Sequence, residues 1–211
     1  ATRLSFFLWG TPPDEELIKV ASQKRLYAPG ELEKQVKRML ADYRADALGT
    51  RFAAQWLHLA QMYKVNPDPN YFPNFDELTA DAMKTETIMF FNHIVRENRP
   101  MLELFSANYT FINDRLARHY NIANVSGSEF RRVQYPDATR RGILGHGSVQ
   151  VLTSYAGRTS PVQRGKWIMI TLMGTPPPTP PPNVPPLDST SGGKRSEEHT
   201  SELQSLAYLV C

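Results

Sequence analysis

Cysteine is almost missing from this sequence: Cys211 is the single one among 211 residues. One cysteine excludes an internal disulfide framework, a cysteine-rich zinc site and a CxxCH haem attachment within the chain. Long apolar runs are missing as well, since the run from Phe6 to Trp9 near the start is far too short to span a bilayer. No basic and apolar leader precedes that run, so nothing in the sequence marks export.

The patterns of common catalytic and nucleotide-binding sites are missing too. No two of the first four histidines, at positions 58, 93, 119 and 146, have the three- or four-residue spacing that places metal ligands on one helical turn. The stretch GILGHG at 142–147 matches neither the Walker pattern nor GxGxxG, and the chain has no HExxH motif and no GxSxG elbow. A metal site could form only by long-range assembly, and we predict none. There is no complete catalytic constellation, which leaves open whether the protein is an enzyme.

Charge of one sign does not dominate, because 24 basic residues oppose 21 acidic ones and give a net charge of +3. Residues 195–205, RSEEHTSELQS, resemble a sequencing-adapter oligonucleotide translated as coding DNA, so we set residues 194–211 aside as a non-native tail. Without the two basic and three acidic residues of that tail the charge is +4, which is mildly basic rather than typical of nucleic-acid binding. We predict no nucleic-acid partner and expect both natural ends to lie outside this chain.

Helical periodicity dominates the first 125 residues. Leu48, Phe52, Trp56 and Leu59 recur at intervals of four, four and three, so they line one face of a helix. The predicted helices are residues 1–9, a short helix capped by Thr11 with Pro12 at its first position, 31–41, 44–62, 75–98, 101–105 and 113–120. The second half of the longest one is apolar on most sides, which indicates a central position. These patterns predict a mainly α fold, with a multi-helix bundle over residues 1–125.

The pattern changes after Ile122. Phe130, Val133 and Pro136 suggest a short extended segment or a hairpin arm. Residues 143–152 fit either a helix or a strand, and we favour a helix. We predict that residues 126–190 form a smaller helical and irregular region packed on the bundle.

The clearest helix begins at Ser160, with Pro161 at its first position and Gln163 completing a capping box, and Gly174 ends it. Residues 176–186 then hold eight prolines in eleven residues, a composition typical of polyproline II. We predict an extended proline-rich strap. It could be a semi-rigid spacer, a strap docked on the domain, or a proline ligand for an aromatic groove.

Positive charge is concentrated between residues 126 and 174, where only Glu129 and Asp137 are acidic. The basic residues are Arg131, Arg132, Arg140, Arg141, Arg158, Arg164 and Lys166. We predict that a corner at the start of the last helix binds a carboxylate, a phosphate or a haem propionate, because free N–H groups there favour anions. This corner comprises Arg158, Ser160, Arg164 and Lys166. Alternatively, its arginines pair with carboxylates of the bundle or cover apolar surface with their stems.

Two further residues could belong to such a site. His146 lies between two glycines, so it could be an exposed functional side chain, although a hydrogen-bonded turn histidine fits the same position. Trp167 directly follows Lys166 and is the second possible functional residue, at the end of that corner. Together with His146, that corner could form part of a substrate site completed by missing modules.

Long motifs across residues 1–190 resemble a family of large exported proteins abundant in planctomycetes and related bacteria. RLSFFLWGTPPDEELIKVA, LEKQVKRMLAD, FAAQWLHL, FPNFDELTADAMKTET and YTFINDRLARHYNI are similar to the first of two tandem domains of unknown function, number 1592. GILGHGSVQVLTSYAGRTSPVQRGKW and the proline run are similar to the second, number 1588. Positions 146 and 147 depart from the family pattern, so the resemblance gives His146 no role.

The resemblance implies no established activity. Members commonly carry c-type cytochrome modules, with a CxxCH-bearing domain after the proline run. It therefore implies haem c for the full-length protein but no cofactor in this fragment, haem-bearing modules upstream and downstream as partners, and a periplasmic or extracellular location. We expect a non-catalytic helical scaffold of an exported, cytochrome-linked protein. The alternatives are part of an enzyme substrate site completed by missing modules, and a binding module for a cell-surface or polysaccharide partner.

Overall fold

The computed structural model describes residues 1–178, and over this range the chain is mainly α, as predicted. The helices are α1 (Thr2–Leu8), α2 (Glu15–Ser22), α3 (Glu31–Ala41), α4 (Ala54–Trp56), α5 (Glu77–Arg96), α6 (Glu103–Ser106), α7 (Asp114–His119), α8 (Gly147–Leu152) and α9 (Pro161–Trp167). Short 3₁₀ helices cover Arg25–Tyr27, Tyr43–Asp46, Leu59–Lys64 and Ile143–Gly145, and π-helices cover Leu48–Ala53 and Ile168–Leu172. Most of the predicted proline strap, and the whole predicted tail with Cys211, lie outside the described residues.

Helix α5 forms the centre of the bundle. Asp76 caps its start, because Asp76 Oδ1 accepts hydrogen bonds from the backbone N–H of Thr79 at 2.7 Å and from its hydroxyl at 2.6 Å. Phe90 and Ile94, from the apolar second half of the helix, are buried in the main core. The predicted central position of this helix is confirmed.

The N-terminal helices pack on the bundle through Trp9. Its ring is buried, and its Nε1 donates a hydrogen bond to the backbone oxygen of Met39 at 2.8 Å. The predicted cap of the next helix is wrong in its position. Helix α2 begins two residues after Pro13, and Asp14 rather than Thr11 caps it, by accepting a hydrogen bond from the backbone N–H of Leu17 at 3.0 Å.

The predicted single helix over residues 44–62 is also wrong. A 3₁₀ helix, a π-helix, α4 and a second 3₁₀ helix follow one another there, and His58 adopts a left-handed conformation with φ of 58°. Gly49 in the π-helix lies so close to α5 that a Cβ atom on it would stand 2.6 Å from Asn92 Oδ1. Leu48 and Leu59 of the predicted stripe are buried, whereas Phe52 is 43% exposed.

Within the described residues, four strands form two small antiparallel sheets. Strand β1 (Tyr109–Ile112) pairs with β2 (Arg131–Gln134), and β3 (Ser154–Tyr155) pairs with β4 (Arg158–Thr159). Strand β2 confirms the predicted extended segment around Val133. The helix favoured for residues 143–152 is confirmed as a 3₁₀ turn followed by α8.

Helix α9 begins as predicted, since Ser160 Oγ accepts a hydrogen bond from the backbone N–H of Gln163 at 3.2 Å. The second half of the predicted capping box does not form, because the Gln163 amide donates to the Tyr155 hydroxyl at 3.1 Å instead. Gly174, with φ of +63°, follows the helix end. Among residues 1–178, no helix is long and apolar enough to cross a membrane.

Candidate functional site

A cavity of about 640 Å³ opens between the proline-rich loop of residues 65–75, the start of α5, helix α7 and the segment of residues 140–159. We call it the junction pocket. Its inner surface includes Met83, Tyr120 and Gly147, which come from α5, the end of α7 and the start of α8. The pocket is therefore assembled from segments that are far apart in the chain.

The proline-rich loop is fastened to the β3–β4 hairpin. The backbone N–H of Asp68 donates a hydrogen bond to the backbone oxygen of Ala156 at 2.8 Å. The ring of Tyr71 lies over Gly157, where an added Cβ atom would be 3.6 Å from the ring. Tyr71 and Tyr155 line the pocket and are 69% and 47% exposed, so two aromatic rings stand on its rim.

Positive charge surrounds the junction pocket. Four arginines line it, at positions 115, 118, 140 and 158, and Asp76 is the single carboxylate among its lining residues in the described part of the chain. Arg115 Nη1 lies 2.8 Å from Asp76 Oδ2, so one of the four charges is compensated within the lining. The resulting excess of positive charge favours an anionic ligand.

The other arginines of the junction pocket have different partners. Arg118 Nη2 lies 3.0 Å from Asp114 Oδ2, outside the lining residues. Arg140 donates a hydrogen bond to the backbone oxygen of Gly145 at 2.8 Å, and its guanidinium carbon lies 4.4 Å from the centre of the Tyr120 ring. Arg158 lies 5.2 Å from the ring centre of Tyr155. These contacts orient the guanidinium groups, because planar cations stack well on aromatic faces.

A buried carboxyl group lies behind the Tyr120 side of the pocket. Glu86, on α5, is 0% exposed, and its Oε1 and Oε2 accept hydrogen bonds at 2.5 Å from the hydroxyls of Thr110 and Tyr120. The Tyr120 oxygen in turn accepts a hydrogen bond from the backbone N–H of Gly147 at 2.8 Å. Burial raises the pKa of Glu86 to about 7, although these hydrogen bonds and the charge of Arg140 act in the opposite direction.

His146 is close to this network but does not line the pocket. Its ring is 0% exposed, stands edge-on to Phe90 with ring centres 4.9 Å apart, and places Nδ1 3.1 Å from Thr87 Oγ1. Among the described residues its Nε2 has no hydrogen-bond partner. Burial lowers the pKa of His146 to about 3. The hypothesis that His146 is an exposed side chain is therefore wrong, because its ring is completely buried.

Of the four residues in the predicted anion-binding corner, the structure brings Arg158 to the junction pocket and leaves the others outside it. Ser160 is a buried helix cap, and Lys166 is exposed on α9. Among residues 1–178, neither Arg158, Arg164 nor Lys166 has a carboxylate partner within ion-pair distance, so pairing with carboxylates of the bundle does not account for them.

Arg164 and Trp167 point into the protein rather than into the pocket. Arg164 Nε lies 3.4 Å from Thr153 Oγ1, and burial lowers the pKa of its guanidinium group. Within the described part of the chain, Arg164 Nη2 and Trp167 Nε1 are buried without a hydrogen-bond partner. Trp167 packs against the main core. Of the predicted corner, Arg158 therefore lines the pocket, whereas Ser160, Arg164 and Lys166 lie outside it.

Sequence reasoning missed the buried half of this site, although one signal was present. Glu86 shares a helix face with Ala82 and Phe90, which lie four residues before and after it and are both buried. An acidic residue inside an apolar helical stripe is unusual and indicates a paired or functional carboxyl group. By contrast, no local pattern links Tyr120 or Arg140 to it.

The described residues do not fit attachment of a c-type haem. Residues 1–178 contain no cysteine, and thioether attachment requires the two cysteines of a CxxCH motif. Among these residues there is also no group of three or more histidine, cysteine, aspartate or glutamate side chains placed to hold a metal ion.

Two family models match the chain in tandem. The model PSD4, described as a protein of unknown function (DUF1592), matches residues 1–122. The model PSCyt3, described as a protein of unknown function (DUF1588), matches residues 140–207, a range that includes part of the predicted non-native tail. Comparisons with curated proteins and with solved structures gave no match. The junction pocket takes its lining from both matched regions, since residues 65–120 lie in the first and residues 140–159 in the second.

Proposed function

Since the chain belongs to the family of proteins of unknown function DUF1592, with a DUF1588 region behind it, we propose that it forms the anion-binding body of an exported protein linked to c-type cytochromes. In this proposal the body is not itself catalytic, and the junction pocket holds the ligand. The cytochrome link, the planctomycete origin and the periplasmic or extracellular location are supported by the names PSD4 and PSCyt3 and by the motifs quoted above. Haem c would be carried by modules upstream or downstream, because residues 1–178 offer no attachment cysteine.

One observation carries the binding part of the proposal: among residues 1–178, four arginines and a single carboxylate line a pocket built jointly by the two matched regions. A multiply charged oxyanion fits this lining, because guanidinium groups form paired hydrogen bonds with carboxylate, sulfate and phosphate groups. Benzene-1,3,5-tricarboxylate is a suitable probe, since it offers three carboxylates on a ring that can lie against Tyr71 or Tyr155. The uncharged benzene-1,3,5-tricarboxamide has the same shape and is the control ligand.

The substitution Arg158→Gln is expected to weaken binding of the tricarboxylate about tenfold, which corresponds to about 1.4 kcal/mol, because it removes a cation from the pocket lining. Lys166→Gln is the matched control: it also removes one positive charge, but from an exposed position outside the pocket. It should change the dissociation constant less than twofold. Calorimetric titration at low salt measures both.

If Lys166→Gln weakens binding and Arg158→Gln does not, the anion binds at the corner predicted from the sequence instead of in the pocket. Equal affinity for the tricarboxylate and the tricarboxamide would contradict an anion site altogether.

The substitution Asp76→Asn should change affinity in the opposite direction and tighten tricarboxylate binding about fivefold. It removes the single carboxylate among the described lining residues and releases Arg115 from its ion pair. Asparagine remains a good helix cap, so the start of α5 is preserved. The control is Glu33→Gln on α3, which removes one negative charge from an exposed pair with Lys37. If both variants tighten tricarboxylate binding equally, the effect comes from the net charge of the protein and not from the loss of Asp76 in the pocket.

A second candidate function is binding of an acidic saccharide, which is favoured by the exposed rings of Tyr71 and Tyr155 on the pocket rim. Sugar rings and aromatic faces pack together, while uronic-acid carboxylates suit arginine. Calorimetric titration with trigalacturonate tests whether the pocket binds an acidic saccharide. Binding that depends on Arg158 and is weakened by replacing Tyr71 or Tyr155 with alanine supports it, whereas tricarboxylate binding without trigalacturonate binding rejects it.

A further inference from the structure

Only one layer of side chains separates the junction pocket from the buried carboxyl group of Glu86. Tyr120 lines the pocket and donates its hydroxyl hydrogen to Glu86 Oε2, while Arg140 lines the pocket and stacks on the Tyr120 ring. Glu86 itself is completely buried. A charge that enters the pocket beside Arg140 therefore acts on Glu86 through a medium with little water, where electrostatic effects are large.

Arg140 is the cation whose charge favours the ionised form of Glu86. Arg140 also donates a hydrogen bond to the backbone oxygen of Gly145 and stacks on the Tyr120 ring. An anion bound to Arg140 would cancel part of its field at Glu86. Water could not stabilise the Glu86 carboxylate in its place, because both carboxylate oxygens are buried and already accept hydrogen bonds from Thr110 and Tyr120.

We propose that the junction pocket takes up its anion together with a proton, and that the proton binds to the carboxyl group of Glu86. This inference rests on the proposed function of the pocket. The proton comes from solvent or buffer, and no bond other than the new O–H bond of Glu86 forms or breaks. With the proton on Oε1, Glu86 donates to Thr110 Oγ1, whose own hydrogen can rotate away. Tyr120 continues to donate to Oε2.

The tyrosines beside Glu86, and His146, do not change their charge near pH 7, whereas Glu86 does. Tyr120 and Tyr135, from the end of α7 and the residue after β2, stay neutral near pH 7 because burial raises their pKa values. Burial lowers the pKa of His146, which precedes α8, so its ring is also neutral. The pKa of Glu86, raised to about 7 by burial, makes its proton occupancy responsive near neutral pH.

His119 is the competing proton acceptor. It lines the pocket, and its pKa is lowered by burial and by the charge of Arg140, so an anion beside Arg140 could promote its protonation as well. The experiment therefore needs to assign the proton to one of the two residues. Glu86→Gln retains a neutral side chain whose amide nitrogen can donate to Thr110 and whose oxygen can accept from Tyr120. His119→Gln removes the competing ring.

The test is calorimetric titration of the whole chain with benzene-1,3,5-tricarboxylate, which is fully ionised at neutral pH, in Bis-Tris and in Tris buffer at pH 7. The two buffers release protons with different enthalpies, so the difference in observed heat gives the number of protons taken up. The wild-type protein should take up about half a proton per ligand. Glu86→Gln should bind the ligand without proton uptake, and His119→Gln should retain the uptake.

The possible failures are distinct. Binding without proton uptake in the wild-type protein overturns this inference and leaves the proposed function intact, whereas no binding overturns both. Uptake that persists in Glu86→Gln and disappears in His119→Gln assigns the proton to the histidine and also overturns the inference. If Glu86→Gln does not fold, infrared difference spectra of the wild-type protein decide the matter. Addition of the tricarboxylate should produce the carbonyl band of a protonated carboxylic acid, and its absence contradicts the assignment.

Discussion

Replacing Gly142 by alanine is expected to remove about 4 kcal/mol of folding stability, a large part of the total for a domain of this size. Gly142 has φ of +52° and ψ of −166°, a combination that is essentially restricted to glycine. An added Cβ atom would lie 2.4 Å from the backbone oxygen of Leu104 and 2.5 Å from the backbone carbon of Phe105. Because both neighbours are backbone atoms, no side-chain rotation can relieve the clash.

The clash also reaches the candidate site. The backbone N–H of Gly142 donates a hydrogen bond to the backbone oxygen of Ala107 at 2.9 Å, which fixes the turn between Arg140 and Gly147. Both of these residues line the junction pocket. Gly142→Ala should therefore weaken tricarboxylate binding even under conditions where most molecules remain folded.

Two other glycines provide matched controls for this substitution. Gly165, inside α9, has nothing within 4 Å of an added Cβ atom, so Gly165→Ala should stabilise the protein by about 0.5–1 kcal/mol. Gly30 is equally open but has φ of +77°, so Gly30→Ala should cost about 1 kcal/mol through backbone strain alone. Urea unfolding followed by tryptophan fluorescence ranks the three variants. If Gly142→Ala lowers the free energy of unfolding no more than Gly30→Ala does, the backbone at Leu104 and Phe105 moves to make room for the Cβ atom and the prediction is wrong.

The extent of the helical fold was predictable because its signals are local. The apolar spacing in α3, the long apolar half of α5 and the Ser160-Pro161 start of α9 each specify a helix without reference to the rest of the chain. The breaks between residues 44 and 62 were not predictable in the same way. The close approach of Gly49 to Asn92 lies within this stretch and joins two different elements, so the local spacing of apolar residues does not reveal it.

The candidate site depends almost entirely on long-range contacts. Glu86, Tyr120 and Gly147 form one hydrogen-bonded chain although they are separated by 34 and 27 residues. The sequence shows an excess of arginine after residue 126, and Arg158 from the predicted anion-binding group lies in the lining of the junction pocket. Its role in anion binding stays a prediction. The periodicity of a single sequence contains no information about which loop lies opposite Arg158.

The junction pocket also offers a physical reason for the tandem arrangement of the two matched regions. Arg140 and Gly147 come from the second region, whereas Glu86 and Tyr120 come from the first. If the second region were removed, Tyr120 would lose the hydrogen bond from Gly147 and its ring would lose the stacked Arg140. The enclosure around Glu86 therefore draws on both regions.

This enclosure predicts an unusual dependence of folding stability on pH. The pKa of Glu86 is about 7 in the folded protein and 4.5 as its ordinary value, so the folded state retains a proton that the unfolded chain releases between these values. The stabilisation from this proton is fully present below pH 4.5 and is lost as pH rises through 7, and its size is about 3 kcal/mol. Most surface carboxylates with lowered pKa values act in the opposite direction.

His146 opposes Glu86 in part of the same range. Its pKa is about 3 in the folded protein and 6.5 as its ordinary value, so its contribution is present above pH 6.5 and is lost as pH falls through 3. Between pH 4.5 and 6.5 the two buried groups therefore tend to cancel in the wild-type protein. Glu86→Gln removes one of them, and the stability of that variant should rise with pH in this window.

The decisive quantity is the free energy of unfolding of the wild-type protein minus that of Glu86→Gln, measured by urea titration from pH 4 to pH 8. The histidines and surface carboxylates are common to both proteins and cancel in this difference. This difference should fall by about 3 kcal/mol as pH rises from 4.5 to 7, because the unfolded chain releases the Glu86 proton in this range whereas the folded protein retains it. The control Glu33→Gln, at an exposed ion pair, should not produce this fall. A flat difference for Glu86→Gln would mean that Glu86 ionises normally, and the buried carboxyl group could not then couple proton uptake to the pocket.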